Sequence, residues 1–227
     1  AALARHAHLS DDQRLMVERV TTSGSGVEVV VGKAGAGKTT ALAAAREAFE
    51  AAGYKIAGTA LSARAAAGLE EGAGIPSRTI ARLLGGDRSR PTETPTPAAA
   101  PLHVLVVDEA GMVGTRDLAR LLDRARTSGT KVILVGDHRQ LPEIAAGGAF
   151  AALAGRLGAA TLDVNRRQAQ AWERAALDEL RHGEVSRALA AYERQGRVHA
   201  SPTMDEARRR LVADWIEERA DVRSARM

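Results

Sequence analysis

Gly32-Lys33-Ala34-Gly35-Ala36-Gly37-Lys38-Thr39 is the stretch from which the rest of the chain is read. It fits the pattern G-x-x-x-x-G-K-[ST] at every position. Before it stands the β-branched run Val27-Glu28-Val29-Val30-Val31, and after it an alanine-rich helical stretch over 40–52 with Gly53 as its stop. Strand, glycine-rich turn and helix in that order make a cradle for an anion. Glycines permit the dihedral angles that aim successive backbone N–H groups at one point, and the helix adds its N-terminal dipole. Gly32, Ala34, Gly35, Ala36, Gly37, Lys38, Thr39 and Thr40 are therefore candidate nucleotide-binding residues. Lys38 can bridge the terminal phosphates, and the Thr39 hydroxyl can ligate Mg²⁺.

A phosphate cradle needs a second metal partner from a neighbouring strand. Val104-Leu105-Val106-Val107-Asp108-Glu109 supplies it, ending an apolar run over 102–107 of the kind buried on both faces of a sheet. Open parallel sheets bind ligands at that carboxyl edge. Asp108 is placed to hold the metal shell, and Glu109 to polarise an attacking water as general base. A further buried strand over 131–135 leads to Gly136-Asp137-His138-Arg139-Gln140-Leu141-Pro142, where Gln140 can hydrogen-bond a terminal phosphate without adding charge. Leu162-Asp163-Val164-Asn165-Arg166-Arg167-Gln168 brings two arginines out of another short strand. Either guanidinium can stabilise charge on phosphoryl oxygens. Near the start, Gln13 could read adenine through its paired donor and acceptor. Ser10-x-x-Gln13 is also a capping box, a purely local device, and the two readings are compatible.

The remaining segments set the organisation. A strand is expected over 54–61, a helix from there through 70, a short helix over 78–84 capped by Ser77, and an amphipathic helix over 115–127 capped by Thr115. Residues 85–101 hold four prolines, three threonines and two glycines without apolar periodicity, and read as a flexible insert. Strands alternating with helices predict an α/β fold with a parallel sheet flanked by helices. From Gln168 onward the texture is helical, over 171–182, 184–194 and 205–220, with a short strand over 197–200. The expected division is residues 1–168 as the nucleotide-binding domain and 169–227 as a mainly helical extension, or the start of a next subdomain.

Composition narrows the classes. The 227 residues are 45% hydrophobic and 26% charged, which suits a globular domain and excludes wholesale disorder. With only 3% aromatics, the core is expected from Ala, Leu, Val and Ile. A net charge of +4 suits an anionic partner, although the arginine-rich basic set also fits a GC-rich coding sequence. The absence of cysteine excludes disulfides and cysteine-based zinc sites. No apolar run reaches the roughly 18 residues of a membrane span. The first residues lack a signal-peptide pattern, and the chain reads as a piece of a longer cytoplasmic protein.

In order and spacing these segments resemble the motif series of superfamily 1 helicases. The Gln13 segment resembles the Q motif, 32–39 motif I, and Thr59-Ala60-Leu61-Ser62-Ala63-Arg64-Ala65-Ala66 motif Ia. Ser77-Arg78-Thr79-Ile80-Ala81-Arg82-Leu83-Leu84 resembles the S-T-I-h-x-L-L segment that follows. Asp108-Glu109-Ala110 matches motif II, 136–142 motif III, and 165–168 motif IV. The likeness covers roughly residues 9–200 and is most specific at motifs I, II and III. Within the superfamily it is nearest to the RecD-like branch. Asn165-Arg166-Arg167-Gln168-Ala169, Ala176-Leu177 and Leu180-Arg181-His182-Gly183 point to conjugative relaxase–helicases of the TraA/TrwC type.

The resemblance implies a P-loop, RecA-like first motor domain that uses ATP and Mg²⁺ to move 5′-to-3′ on single-stranded DNA. It makes Arg167 the phosphate-contacting arginine, with Arg166 as fallback, and turns Ser62 and Arg64 toward the DNA strand. Thr79, with Arg78 and Arg82, is a weaker candidate for the DNA backbone. Motifs V and VI and a second RecA-like domain are not found, nor is a relaxase's histidine cluster with its nucleophilic tyrosine. The six histidines are scattered, and Tyr54 and Tyr192 stand alone. The implied partners are therefore single-stranded DNA, the remainder of a parent helicase with its second RecA-like domain, and, in a conjugative parent, a relaxase domain. A bare first domain is expected to bind nucleotide weakly and to unwind little. Two other readings stay open: the motor of a superfamily 1 RNA helicase, or a non-hydrolysing nucleic-acid docking module. The presence of Lys38, Thr39, Asp108, Glu109 and Gln140 argues against the second.

Overall fold

A computed structural model describes residues 5–33, 35–85, 102–137, 147–165 and 167–224. Ala34, Gln140, Arg166 and all of the expected insert but Gly85 lie outside the described residues. The chain divides into two compact units, Ala1–Gln168 and Ala169–Met227.

In the first unit, α1 (Asp11–Thr22) precedes β1 (Val27–Gly32), α2 (Lys38–Ala51), β2 (Ile56–Ala60) and α3 (Ala63–Ala73). Then come β3 (Ser77–Thr79), α4 (Ile80–Gly85), β4 (Val104–Val107), a 3₁₀ turn (Ala110–Met112) and α5 (Thr115–Ser128). β5 (Lys131–Gly136), α6 (Ala149–Leu157) and β6 (Ala160–Leu162) complete it. The described strands form one sheet in the order β3-β2-β4-β5-β1-β6, with every pairing parallel. This is a RecA-like α/β core, a parallel sheet with helices against both faces.

Strand periodicity divides the core. Val30, Val104, Val106, Ile133 and Val135 face α1, α2 and α3, packing on Met16, Val17, Leu42, Phe49 and Leu69. Their alternates Val29, Leu105, Val107, Val132 and Leu134 face the other way, onto Ile80, Leu118, Leu121 and Phe150. Adjacent side chains on a strand point to opposite faces, so one unbroken valine–leucine run can feed both layers. The low aromatic content leaves the helices studded with alanine, and Ala41, Ala44 and Ala45 let α2 lie close to the sheet.

Several elements differ from the sequence reading. Ser77 does not cap a helix over 78–84. Ser77–Thr79 instead pair with Gly58–Ala60 as an edge strand, and the Thr79 hydroxyl accepts from the Arg82 N–H at 3.3 Å. The open edge of β2 supplies hydrogen-bond partners for these backbone groups. Gly114, not Thr115, occupies the N-cap of α5. Helix α6 was not anticipated; its buried anchor is Phe150. The second unit holds α7 (Ala171–Arg181), α8 (Val185–Arg194) and α9 (Met204–Ser224). Trp172 and Tyr192 meet edge to face at 5.3 Å between ring centroids, joining α7 to α8. Residues 197–200 lie outside any strand. Among the described residues no helix is long and apolar enough to cross a membrane.

Ile133 is fully buried on the central strand β5, between β4 and β1. Ile133→Ala is expected to lower unfolding stability by about 2–5 kcal/mol, read from urea denaturation as a lower midpoint with unchanged slope.

Candidate nucleotide-binding site

The parallel sheet brings three chain exits to one edge. Gly32 pairs with Leu162, and Val31 with Gly136; one strand further, Val107 stands level with Leu134, itself paired with Val29. The P-loop, the Asp108–Glu109 pair and the Arg167 segment all leave the sheet at this carboxyl edge. They enclose a cavity of about 600 Å³ lined by Gly35, Ala36, Gly37, Lys38, Thr39, Thr40, Asp108, Glu109, Gly111, Met112, Gly136, Asp137 and Arg167.

The loop is held from both sides. Lys33 N–H donates to Leu162 O at 3.1 Å, tying it to β6. Gly35 and Gly37 have φ of +76° and +75°, where side chains are strained, and Gly37 turns the chain into α2. A β-carbon at Gly35 would lie 2.7 Å from Arg167 Cβ and 2.8 Å from Asn165 Oδ1, so glycine is what admits the arginine segment. Asn165 Oδ1 also accepts from Arg167 N–H at 3.0 Å, which orders the backbone that carries this arginine. Lys38 lays its stem across Gly32 and donates to Gly32 O at 2.8 Å and Lys33 O at 3.1 Å.

Gln13 is 3% exposed and sits behind the loop. Its amide nitrogen donates to Ala36 O at 3.3 Å and Gly37 O at 3.1 Å, while Oε1 accepts from Ser10 N–H at 3.1 Å. The same side chain thus closes the end of α1 and braces the P-loop, and it does not line the cavity. Gly32 likewise lies beneath the loop, in contact with Lys38.

At the opposite wall, Asp108 is held by its N–H donating to Thr59 O at 2.9 Å, and its Oδ1 accepts from Glu109 N–H at 2.9 Å. Burial raises the Asp108 carboxyl above the ordinary aspartate range, against the Glu109 N–H and the Lys38 charge, which lower it. Glu109 is raised too, first by burial and then by repulsion from Asp108, with Lys38 opposing. Among the described residues Glu109 alone combines a side chain with positive φ, at 53°. Such strain collects where surrounding structure fixes a functional geometry. Thr39 and Asp108 are hard oxygen donors on one cavity, which fits Mg²⁺, an ion held by one or two protein oxygens together with phosphates and water.

Of the nominated residues, the fold gathers Gly35, Ala36, Gly37, Lys38, Thr39, Thr40, Asp108, Glu109 and Arg167. Ser62, Arg64 and Thr79 lie elsewhere on the carboxyl edge. The Ser62 hydroxyl caps α3, accepting from Ala65 N–H at 3.0 Å, and Arg64 is exposed. Thr79 lines a shallow groove of about 290 Å³ with Arg78, Arg82, Ser77 and Glu70. Asp137, which the sequence does not single out as a site residue, is 6% exposed and lines the cavity. Its signal was available, an acidic residue ending an apolar strand as Asp108 does.

A P-loop, a carboxylate pair on the next strand but one and an arginine at the same edge define a RecA-like P-loop nucleotide-binding domain. The AAA domain family matches residues 8–203, and the chain belongs to that family. By sequence it is similar to the conjugal transfer protein TraA of Rhizobium radiobacter, 44% identical over 216 residues that make up 95% of this chain and 19% of that protein. The probable conjugal transfer protein TraA of Sinorhizobium fredii is 42% identical over 217 residues, again 95% of this chain and 19% of that protein. The chain thus spans 19% of the length of these relatives. The crystal structure of the Pif1 helicase from Candida albicans shares the fold, with a TM-score of 0.62 at 22% identity over 86% of this chain and 49% of that one. The chain is thus a RecA-like P-loop domain of the AAA domain family, related in sequence to TraA conjugal transfer proteins and in fold to the Pif1 helicase.

With its folded-state pKa raised, Asp108 contributes stability that is present at low pH and lost as pH rises through that value. Asp108→Asn is therefore expected to raise the Tm of the nucleotide-free protein at pH 7. The gain should shrink toward zero as the pH falls to about 4, the ordinary aspartate value. Thermal melts across pH check the sign.

Proposed function

We propose that this chain is the ATP-binding and hydrolysing motor domain of a 5′-to-3′ single-stranded DNA helicase, within a conjugative relaxase–helicase. The carrying observation is the convergence of Lys38, Thr39, Asp108, Glu109 and Arg167 on one cavity at the carboxyl edge of the sheet. In this reading residues 1–168 are the ATP-binding domain and 169–227 a helical extension. The identity to TraA proteins supports the conjugative setting, and the RecD-like motif series supports the polarity. The remaining partners are a second RecA-like domain and a relaxase domain of the same parent, working in the cytoplasm where ATP and DNA meet.

The P-loop amides and the α2 N-terminus take the phosphates of ATP. Lys38 leaves the carbonyls of Gly32 and Lys33 and moves its ammonium onto the terminal phosphates. Thr39 and Asp108 would hold Mg²⁺, which would supply positive charge to offset that of the phosphates. Glu109 takes a proton from the attacking water, and its raised pKa makes it a better base once deprotonated. Arg167 stabilises the charge that develops on the transferring phosphoryl oxygens, while Gln140 completes the γ-phosphate contacts. Gln13 acts on the nucleotide through the P-loop it braces, rather than by reading adenine directly. Ser62, Arg64 and Thr79 meet the DNA backbone.

Titration calorimetry with Mg²⁺ and a non-hydrolysable ATP analogue tests the site. Lys38→Ala should bind at least about tenfold more weakly, the loss of a charge-assisted contact worth about 1.5–3 kcal/mol; equal heats from both proteins would end the reading. The DNA assignment is tested by fluorescence anisotropy with labelled oligonucleotides. Arg64→Ala should weaken single-stranded DNA binding and reduce the salt slope by about one, whereas tighter binding of RNA than of DNA would move the substrate to RNA.

A further inference from the structure

Helix α3 passes against the first turn of α2 at a single glycine. A β-carbon built on Gly72 would lie 2.4 Å from Cγ2 of Thr39, well inside any carbon–carbon contact. Gly68, one turn earlier on the same helix, has nothing within 4 Å of the same position. The helix cannot simply withdraw, because Leu69 and Ala73 anchor it in the core at 2% and 1% exposure. Glycine is a poor helix former, and at this position its use is steric.

What gives way on adding a side chain is Thr39. Its methyl and hydroxyl share one carbon, and a β-branched side chain in a helix has few χ1 wells. Rotating Cγ2 out of the way therefore swings Oγ1 as well. Thr39 lines the nucleotide cavity together with Asp108, so the displaced group is the one assigned to the metal.

We propose that Gly72 is a positioning residue for the nucleotide site: its missing side chain keeps Thr39 in the rotamer that presents its hydroxyl to nucleotide-bound Mg²⁺. The inference rests on the reading of Thr39 as a magnesium ligand given above.

The experiment titrates the 227-residue chain with a fluorescent ATP analogue, in Mg²⁺ and in EDTA, for the unaltered protein, Gly72→Ala, Thr39→Ser and the double variant. Gly72→Ala should weaken binding in Mg²⁺ by about tenfold, the low end of what groups supporting a metal ligand are worth, with no change in EDTA. Serine keeps the hydroxyl and drops the methyl, so adding Gly72→Ala to Thr39→Ser should change affinity by less than about twofold, the scatter of independent sites. Circular dichroism melts report folding. If Gly72→Ala does not fold while the double variant folds and binds as Thr39→Ser does, the same steric contact is supported.

Equal binding by Gly72→Ala and the unaltered protein in Mg²⁺ would overturn the proposal. So would an equal loss in EDTA, an equal loss on the serine background, or unfolding of both Gly72 variants. If the unaltered protein shows no Mg²⁺-dependent binding, the metal-site reading itself fails and this inference falls with it, whereas loss confined to Gly72→Ala leaves that reading standing.

Discussion

The pairing of β1 between β5 and β6 is the constraint from which the site is built. Val30 is level with Val135 on one side and with Ala160 on the other. A parallel ladder carries all its strands out at one edge, so three segments far apart in sequence arrive side by side. A slip of one residue would exchange the two faces of β1, putting Val29 where Val30 packs against Met16 and Leu42. The register is thus enforced by two separate cores, and the position of the phosphate loop follows from it. Lys33 N–H on Leu162 O then closes the loop onto β6, and Gly35 leaves the space that Asn165 and Arg167 occupy.

That framework supports an edge that is locally unfavourable. Burial raises the cost of ionising both Asp108 and Glu109, the Asp108 charge adds to it at Glu109, and Lys38 is the opposing charge. Glu109 adds a left-handed backbone that a side-chain-bearing residue seldom adopts. Charge concentrated at a carboxyl edge is what a polyphosphate with its cation would neutralise. The buried valines and leucines of β4 and β5 carry the stability that offsets it. Lys38 is folded back onto the carbonyl oxygens of Gly32 and Lys33, on the cavity that both carboxylates line.

Much of this was legible in the residue order, for a local reason. A phosphate loop is one strand, one turn and one helix in succession, and its glycines, lysine and threonine are neighbours in the chain. The Val104–Val107 strand announces its acidic end in the same way. Legibility stopped where a residue's role depends on something distant. Ser77–Thr79 became a strand because β2 offered an unpaired edge. Gln13 satisfies the capping pattern that its sequence shows, and its amide then reaches 24 residues further along the chain to Gly37 O. Asp137 entered the cavity through its strand's position in the sheet.

Residue order alone sufficed for the class of fold, the phosphate loop and the two carboxylates, because periodicity, turn chemistry and strand-end charge act between near neighbours. Distances between segments belong to the folded molecule. The sheet order set Arg167 beside Gly35 and put Lys38 opposite Glu109. Helix packing brought Gly72 against Thr39, an approach that leaves no trace in a chain where the two stand 33 positions apart. Close packing in the interior allows one solution for such contacts, and that solution exists only once all the layers are in place.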